Sequence, residues 1–242
     1  MQVLKFGGSS VANAQNINKV ISIVKETLKH DKAVIVSSAI SGATDALIAI
    51  ANAAKEQNNH YQTLIDQLEE RHISIIDELI TSDDNSSIKN ICGELFGKLR
   101  EICKGVYLLK ELSELSQDHI VSFGELLSTK IISAKFKSLN ISHVWKDSRE
   151  LIKTEYIAGK NVVITNETYS NIANYFAGNN NNLFIMPGFI ASQEVIFGSS
   201  GQIFKVRHDS MDRKCYMQGV LLATRHVVEK NDFVYGLENI MN

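Results

Sequence analysis

Residues 3–10 read VLKFGGSS and residues 33–45 read AVIVSSAISGATD, and these two stretches decide the fold. Each is an apolar run that ends in small residues. The first predicts a strand at residues 3–6 entering Gly7, Gly8, Ser9 and Ser10. A helix follows it, because Ile17, Val20, Ile21, Val24 and Leu28 keep the three-and-four spacing of one helical face. The second run, residues 33–36, has no polar alternation, as expected of a strand buried on both faces. It leads into a loop at 37–44 and a helix at about 45–55. Strand, helix, strand, helix in that order predicts a parallel α/β sheet.

Outward from there, residues 60–118 read as helical. Leu64, Ile65, Leu68, Ile73, Ile76, Leu79 and Ile80 mark one helix, and Leu95, Leu99, Ile102, Val106, Leu108 and Leu109 mark the next. Polar residues at 82–87 predict the turn between them. A third helix is expected to start near Ser122 and to carry Leu126, Leu127, Ile131 and Ile132. Strands are expected at 142–145, 161–164 and 183–186, the last after an asparagine loop at 179–182. Beyond Ser192 the pattern changes to strand, glycine-serine turn at 198–201, strand, and a helix at about 212–227. The fold expected is therefore a three-layer α/β domain at 1–192 with a β-β-α appendage at 193–242.

The 242 residues are 44% hydrophobic and 21% charged, enough to bury a sizeable core. A net charge of −2 gives no electrostatic footprint for nucleic acid or for an anionic membrane. Cys92, Cys103 and Cys215 form no CxxC pair and read as thiols in a reducing compartment. The N-terminus lacks the apolar core of a signal peptide, and no apolar run is long enough to span a bilayer. A cytoplasmic protein is expected. No histidine spacing suits a metal, so no metal site is expected.

Chemistry is most concentrated at the first loop. Glycines after a strand let backbone N–H groups approach an anion, serine hydroxyls add donors, and Lys5 can neutralise charge on a transferring phosphoryl group. The alternative is an ordinary strand-to-helix turn with a solvated lysine.

The segment KFGGSSV at 5–11 resembles the N-terminal signature of aspartokinases. VIVSSAISGATD at 34–45, VSFGELLST at 121–129, DSRELIKT at 147–154 and MPGFIAS at 186–192 follow in that family's order. The resemblance implies an amino-acid-kinase-like sheet and phosphorylation of the aspartate β-carboxylate from ATP with Mg²⁺, in lysine, threonine and methionine synthesis. It further implies that Lys5 stabilises the transferring phosphate and that Gly7, Gly8 and Ser9 line the phosphate path. Ser38 and Thr44 would sit beside the acceptor amino acid, and Glu125 would face its ammonium group. An acidic residue in a helix's first turn is the alternative for Glu125. Arg149 would either pair as a structural ion or line the site. Near residues 159–160 the family places an arginine that grips the acceptor's side-chain carboxylate. Lys160 stands there instead, keeping the charge without the two-pronged fork.

After residue 192 the glycine-rich segment and nucleotide-binding half of an aspartokinase are not recognisable. A non-catalytic amino-acid-binding or interaction module therefore stands beside the kinase reading, and a homo-oligomer or partner chain is expected. Residues 195–227 instead resemble the C-terminal end of dihydrodipicolinate reductase, through Phe197, Gly198, Gly201, His208, Asp209, Arg213, Tyr216 and Gly219. That resemblance implies NADPH contacts at Arg213 and Tyr216 and a fusion of two pathway proteins. No GxGxxG fingerprint accompanies it.

Overall fold

A computed structural model describes residues 1–81, 84–157, 160–188, 194–199 and 202–207. The chain divides into two compact units, Met1–Ser192 and Gln193–Asn242.

In the first unit a parallel sheet runs in the order β1 (Gln2–Phe6), β2 (Ala33–Ser37), β6 (Leu183–Pro187), β3 (Val144–Trp145). Lys5 lies opposite Val36, and Ile35 opposite Ile185. Alternate residues of a strand face opposite sides, so the apolar run of β2 serves two cores. Ala33 and Ile35, with Leu183 and Ile185, pack among the helices α1 (Ala14–Thr27), α2 (Ala43–Lys55), α3 (His60–Leu79), α4 (Asp84–Leu109) and α5 (Glu114–Ser138). Val34 joins Phe184, Met186 and Leu151 on the other face, beneath Ile172, Tyr175 and Phe176 of α6 (Thr165–Ala177). Phe176 and Phe184 meet edge to face with centroids 4.9 Å apart. The result is the expected three-layer arrangement of helices, sheet and helix.

Helix starts follow local chemistry. Asn13 caps α1 by accepting from the Asn16 N–H at 2.9 Å, and Ser113 caps α5 by accepting from the Ser116 N–H. Gly42 precedes α2 at φ +77°, a left-handed conformation that favours glycine.

Three expectations are corrected. The helix expected near Ser122 begins at Glu114, eight residues earlier (122 − 114). Its first turns are polar, whereas residues 120–129 are all buried, so only the packed part carries a hydrophobic signal. Glu125 therefore lies in the middle of α5, and the first-turn dipole reading of it falls. The polar turn at 82–87 is shorter than expected, because Ser86 and Ser87 are already inside α4.

Two elements were not expected from the sequence. α6 is rich in Asn, Thr and Ser, and β4 (Thr154–Ile157) pairs antiparallel with β5 (Lys160–Val163) outside the main sheet. In the second unit β7 (Glu194–Ser199) pairs antiparallel with β8 (Gln202–Arg207). Gly198 and Ser199 belong to the strand, and the helix expected at 212–227 lies outside the described residues. Among the described residues no helix is long and apolar enough to cross a membrane.

Candidate functional site

Three strand ends converge at one edge of the parallel sheet, the edge where open α/β sheets bind ligands. The Ser38 N–H donates to the Phe6 carbonyl at 2.9 Å, tying the loop after β2 to the end of β1. The Gly188 N–H donates to the Ser37 carbonyl at 2.9 Å, tying in the end of β6. A Cβ on Gly8 would stand 3.0 Å from the Ala39 carbonyl oxygen, and one on Gly188 would stand 3.0 Å from the Ser37 carbonyl oxygen. Both are backbone contacts that larger residues would push apart.

The middle of α5 packs against this edge. A Cβ on Gly124 would fall 2.7 Å from the Ala39 Cβ, so glycine lets the helix approach the loop. The next residue, Glu125, is 3% exposed. Its Oε1 accepts from the Ala39 N–H at 3.2 Å, while its Oε2 is buried without a partner. Burial pushes the Glu125 carboxyl up to about 7, partly offset by the Ala39 N–H and its own backbone N–H. A carboxyl half satisfied in this way lacks one thing, a donor or a cation for Oε2.

The other candidate residues fall around it. Gly7 opens a short 3₁₀ turn at Gly8–Val11, and a Cβ there would meet nothing within 4 Å. Ser9 is exposed, its carbonyl accepting from Asn16 Nδ2 at 2.8 Å. Lys5 is exposed on β1, a strand at the margin of the sheet. Thr44 is half-buried in the first turn of α2, and Ser38 is half-buried directly after β2.

Arg149 makes an ion pair beside α5. Its guanidinium pairs with the Asp147 carboxylate at 2.7 Å, and its Nη1 donates to Ser122 Oγ at 3.4 Å, one helical turn before Glu125. Burial pushes Asp147 up, but the hydrogen bonds and charge of Arg149 outweigh it and hold the carboxyl below its usual range. Arg149 thus makes an ion pair with Asp147 and also reaches the face of α5 that carries Glu125. Lys160 opens β5 opposite Ile157, and its side chain lies outside what is described. Arg213 and Tyr216 also lie outside the described residues.

Sequence reading missed three contributors. Ser128 Oγ donates to the Ser38 carbonyl at 2.7 Å. Arg71 Nη2 donates to the Ser41 carbonyl at 2.7 Å, bracing the same loop from α3. Thr129 Oγ1 donates to the Glu125 carbonyl and accepts from Trp145 Nε1 at 3.0 Å. The hydroxyls stood inside a quoted motif, but only tertiary contact shows what they hold. Among the described residues no group of three or more His, Cys, Asp or Glu could hold a metal ion.

A parallel sheet between layers of helices, with a buried acidic residue at the C-terminal ends of its strands, defines a three-layer α/β protein. The model of the amino acid kinase family matches residues 1–206, and the chain belongs to that family. A second model, the dihydrodipicolinate reductase C-terminus, matches residues 180–241. Over 226 residues the chain is 25% identical to the chloroplastic bifunctional aspartokinase/homoserine dehydrogenase 2 of Arabidopsis thaliana, covering 93% of this chain and 24% of that one. Over 56 residues it is 62% identical to the 4-hydroxy-tetrahydrodipicolinate reductase of a Picosynechococcus species, covering 23% of this chain and 20% of that one. Among solved structures, E. coli aspartokinase III with aspartate and ADP superposes at a TM-score of 0.70 and 22% identity, over 93% of this chain and 46% of that one. That likeness shows the shared fold. The chain spans less than half of that structure and about a quarter of the plant enzyme.

Proposed function

We propose that residues 1–192 are the acceptor-binding domain of an aspartate kinase. They hold aspartate with its ammonium group against Glu125 and its β-carboxylate toward a phosphoryl group from Mg²⁺-ATP. The observation that carries this reading is the buried Glu125 carboxyl, whose Oε2 has no partner at the edge where three strand ends meet. A ligand ammonium there would satisfy that oxygen and favour the charged carboxylate. Ser38 and Thr44 line the acceptor in this reading, and Lys160 stands at the family's position for the residue that grips its side-chain carboxylate. Likeness to a kinase solved with aspartate and ADP supports the choice of ligand.

The residues present fit the reacting end of a nucleotide. Gly7 faces open space, and Ser9 and Lys5 are exposed beside it. ATP supplies the phosphoryl group when bound. The chain's part is to orient the acceptor carboxylate, offer N–H and hydroxyl donors from residues 7–9, and place the Lys5 charge beside them.

Isothermal titration of the chain with aspartate, with and without a non-hydrolysable Mg²⁺-ATP analogue, tests the proposal. Saturable binding of both ligands is expected, with Lys5→Ala weakening the nucleotide signal and leaving aspartate unchanged. Absence of aspartate binding would overturn it. Aspartate binding with no nucleotide signal would favour a second reading, an amino-acid-binding module without turnover.

The division of the chain at Ser192 supports treating residues 193–242 as a separate, reductase-derived segment. An NADPH role for it would rest on Arg213 and Tyr216, and loss of NADPH binding in Arg213→Ala would test it. β1 ends the sheet with Val3 66% exposed, and this strand margin supports self-association. Sedimentation equilibrium should give a mass above 26.9 kDa.

A further inference from the structure

We propose that Ser128 is a positioning residue for the acceptor site, gripping with Glu125 the two ends of one peptide unit, Ser38–Ala39. The inference rests on the reading of Glu125 as the acceptor's ammonium partner.

The Ser38 carbonyl and the Ala39 N–H belong to the same planar amide. In a trans peptide they point to opposite sides. Ser128 Oγ donates to the carbonyl end at 2.7 Å, and Glu125 Oε1 accepts from the N–H end at 3.2 Å. Glu125 and Ser128 are three residues apart on α5, hence on one helical face, and both are buried. The plane is clamped from one helix at both ends.

A buried helical serine has an easier option. Its hydroxyl usually turns back to a carbonyl three or four residues earlier. Here that acceptor, the Glu125 carbonyl, is 3.1 Å away, whereas the Ser38 carbonyl is nearer at 2.7 Å and 90 residues distant in sequence. The hydroxyl is therefore spent on the loop. The Ser38 N–H is fixed as well, by its bond to Phe6, and the Ser38 carbonyl also accepts from Ser37 Oγ at 3.2 Å, so Ser128 supplies the shorter of the two bonds that resist rotation of the Ser38–Ala39 plane. Without Ser128 the plane turns and the Ala39 N–H leaves the Glu125 carboxylate. Glu125 then loses a hydrogen bond that favours its charged form.

The test follows the Glu125 carboxyl directly by ¹³C NMR in the ligand-free chain, its resonance assigned with Glu125→Gln. The wild-type midpoint is expected near 7. Ser128→Ala should raise it by about half to one unit, the scale of one backbone hydrogen bond to a carboxylate, and should weaken aspartate binding about five- to tenfold. Ser128→Cys keeps the volume with a poor donor and carries the same expectation should the alanine variant not fold. Ser128→Thr, which retains the hydroxyl, should restore the midpoint. A folded alanine or cysteine variant with an unmoved midpoint overturns the proposal, because a purely structural serine would lower thermal stability alone. If the midpoint moves but the wild-type chain does not bind aspartate, the clamp stands and the aspartate reading falls.

Discussion

Two buried ionisable side chains, Glu125 on α5 and His72 on α3, are built alike and sit in unlike places. Each makes one hydrogen bond to the backbone and leaves one polar atom buried without a partner. For Glu125 the bond is to the Ala39 N–H and the orphan is Oε2; for His72 Nδ1 bonds the Leu68 carbonyl at 2.7 Å and the orphan is Nε2. Burial drives both toward neutrality, the carboxyl up to about 7 and the imidazole down to about 4. The surroundings separate them. Glu125 lies against a loop of small residues at the ligand edge of the sheet. His72 lies inside the helical core, with the ring of Phe96 edge-on at 5.6 Å and the charge of neighbouring Arg71 also opposing its protonation. A perturbed titration is thus no mark of function by itself; the edge of the sheet supplies the meaning.

The harshest way to break the comparison is to separate α5 from the loop. In Gly124→Val the new Cβ would stand 2.7 Å from the Ala39 Cβ and 3.3 Å from Leu47 Cδ1. Overpacking of this kind costs about 1–3 kcal/mol, and aspartate binding should vanish with it. Chemical denaturation and calorimetric titration measure the two losses. Near-wild-type stability would mean that the loop yields freely and that the Glu125 site is not rigid.

Glu125→Gln comes next. Its folded carboxyl titrates higher than the ordinary 4.5, so the folded state keeps the proton longer and stability falls as pH rises from 4.5 to about 7. The fall is on the order of 3 kcal/mol at most. Glutamine lacks that penalty, so the variant should be more stable than wild type at pH 8 and equal to it at pH 4. Aspartate affinity should nevertheless drop by ~100-fold, as expected for losing a buried charge partner. In the wild type that affinity should strengthen as pH rises through about 7. An unchanged affinity in the glutamine variant would remove Glu125 from the site.

Much of this comparison was legible in the letters of the sequence. β2 could be read as a doubly buried strand because Ala33, Val34, Ile35 and Val36 leave no polar face, and it feeds both cores. Glu125 stood inside a recognisable motif. The start of α5 was not legible, because Glu114, Leu115 and Ser116 lie beyond the packed part of the helix and Ser113 sets its end by a local cap. α6 escaped because its apolar contribution to the core is three half-buried residues, Ile172, Tyr175 and Phe176, among polar ones. Ser128 and Arg71 act across 90 and 30 residues of chain, a distance that no local pattern encodes.

His72→Leu should sharpen the contrast. The folded imidazole titrates near 4, lower than its ordinary 6.5, so the unfolded chain binds more protons between those values. Stability is held above pH 6.5 and lost as pH falls toward 4, by up to roughly 3 kcal/mol. Leucine should flatten that acid limb and leave aspartate affinity unchanged. A variant that lost aspartate binding while remaining folded would make the helical core part of the site.

The smallest effect tests the glycines of the same two regions. A Cβ on Gly93, in the middle of α4, would meet nothing within 4 Å. Glycine in a helix interior costs about 0.5–1 kcal/mol against alanine, through the greater freedom of the unfolded chain. Gly93→Ala should therefore stabilise the protein by about that amount, raising the urea midpoint with an unchanged slope. Gly124, also mid-helix, should do the reverse, because there the absent Cβ is what admits Ala39. Opposite signs at two helical glycines would show that α5 is shaped by the loop it touches, while α4 keeps its glycine without a packing need. Equal destabilisation at both would mean that α4 also meets a neighbour at Gly93, and the contrast between the ligand edge and the helical core would lose its packing basis.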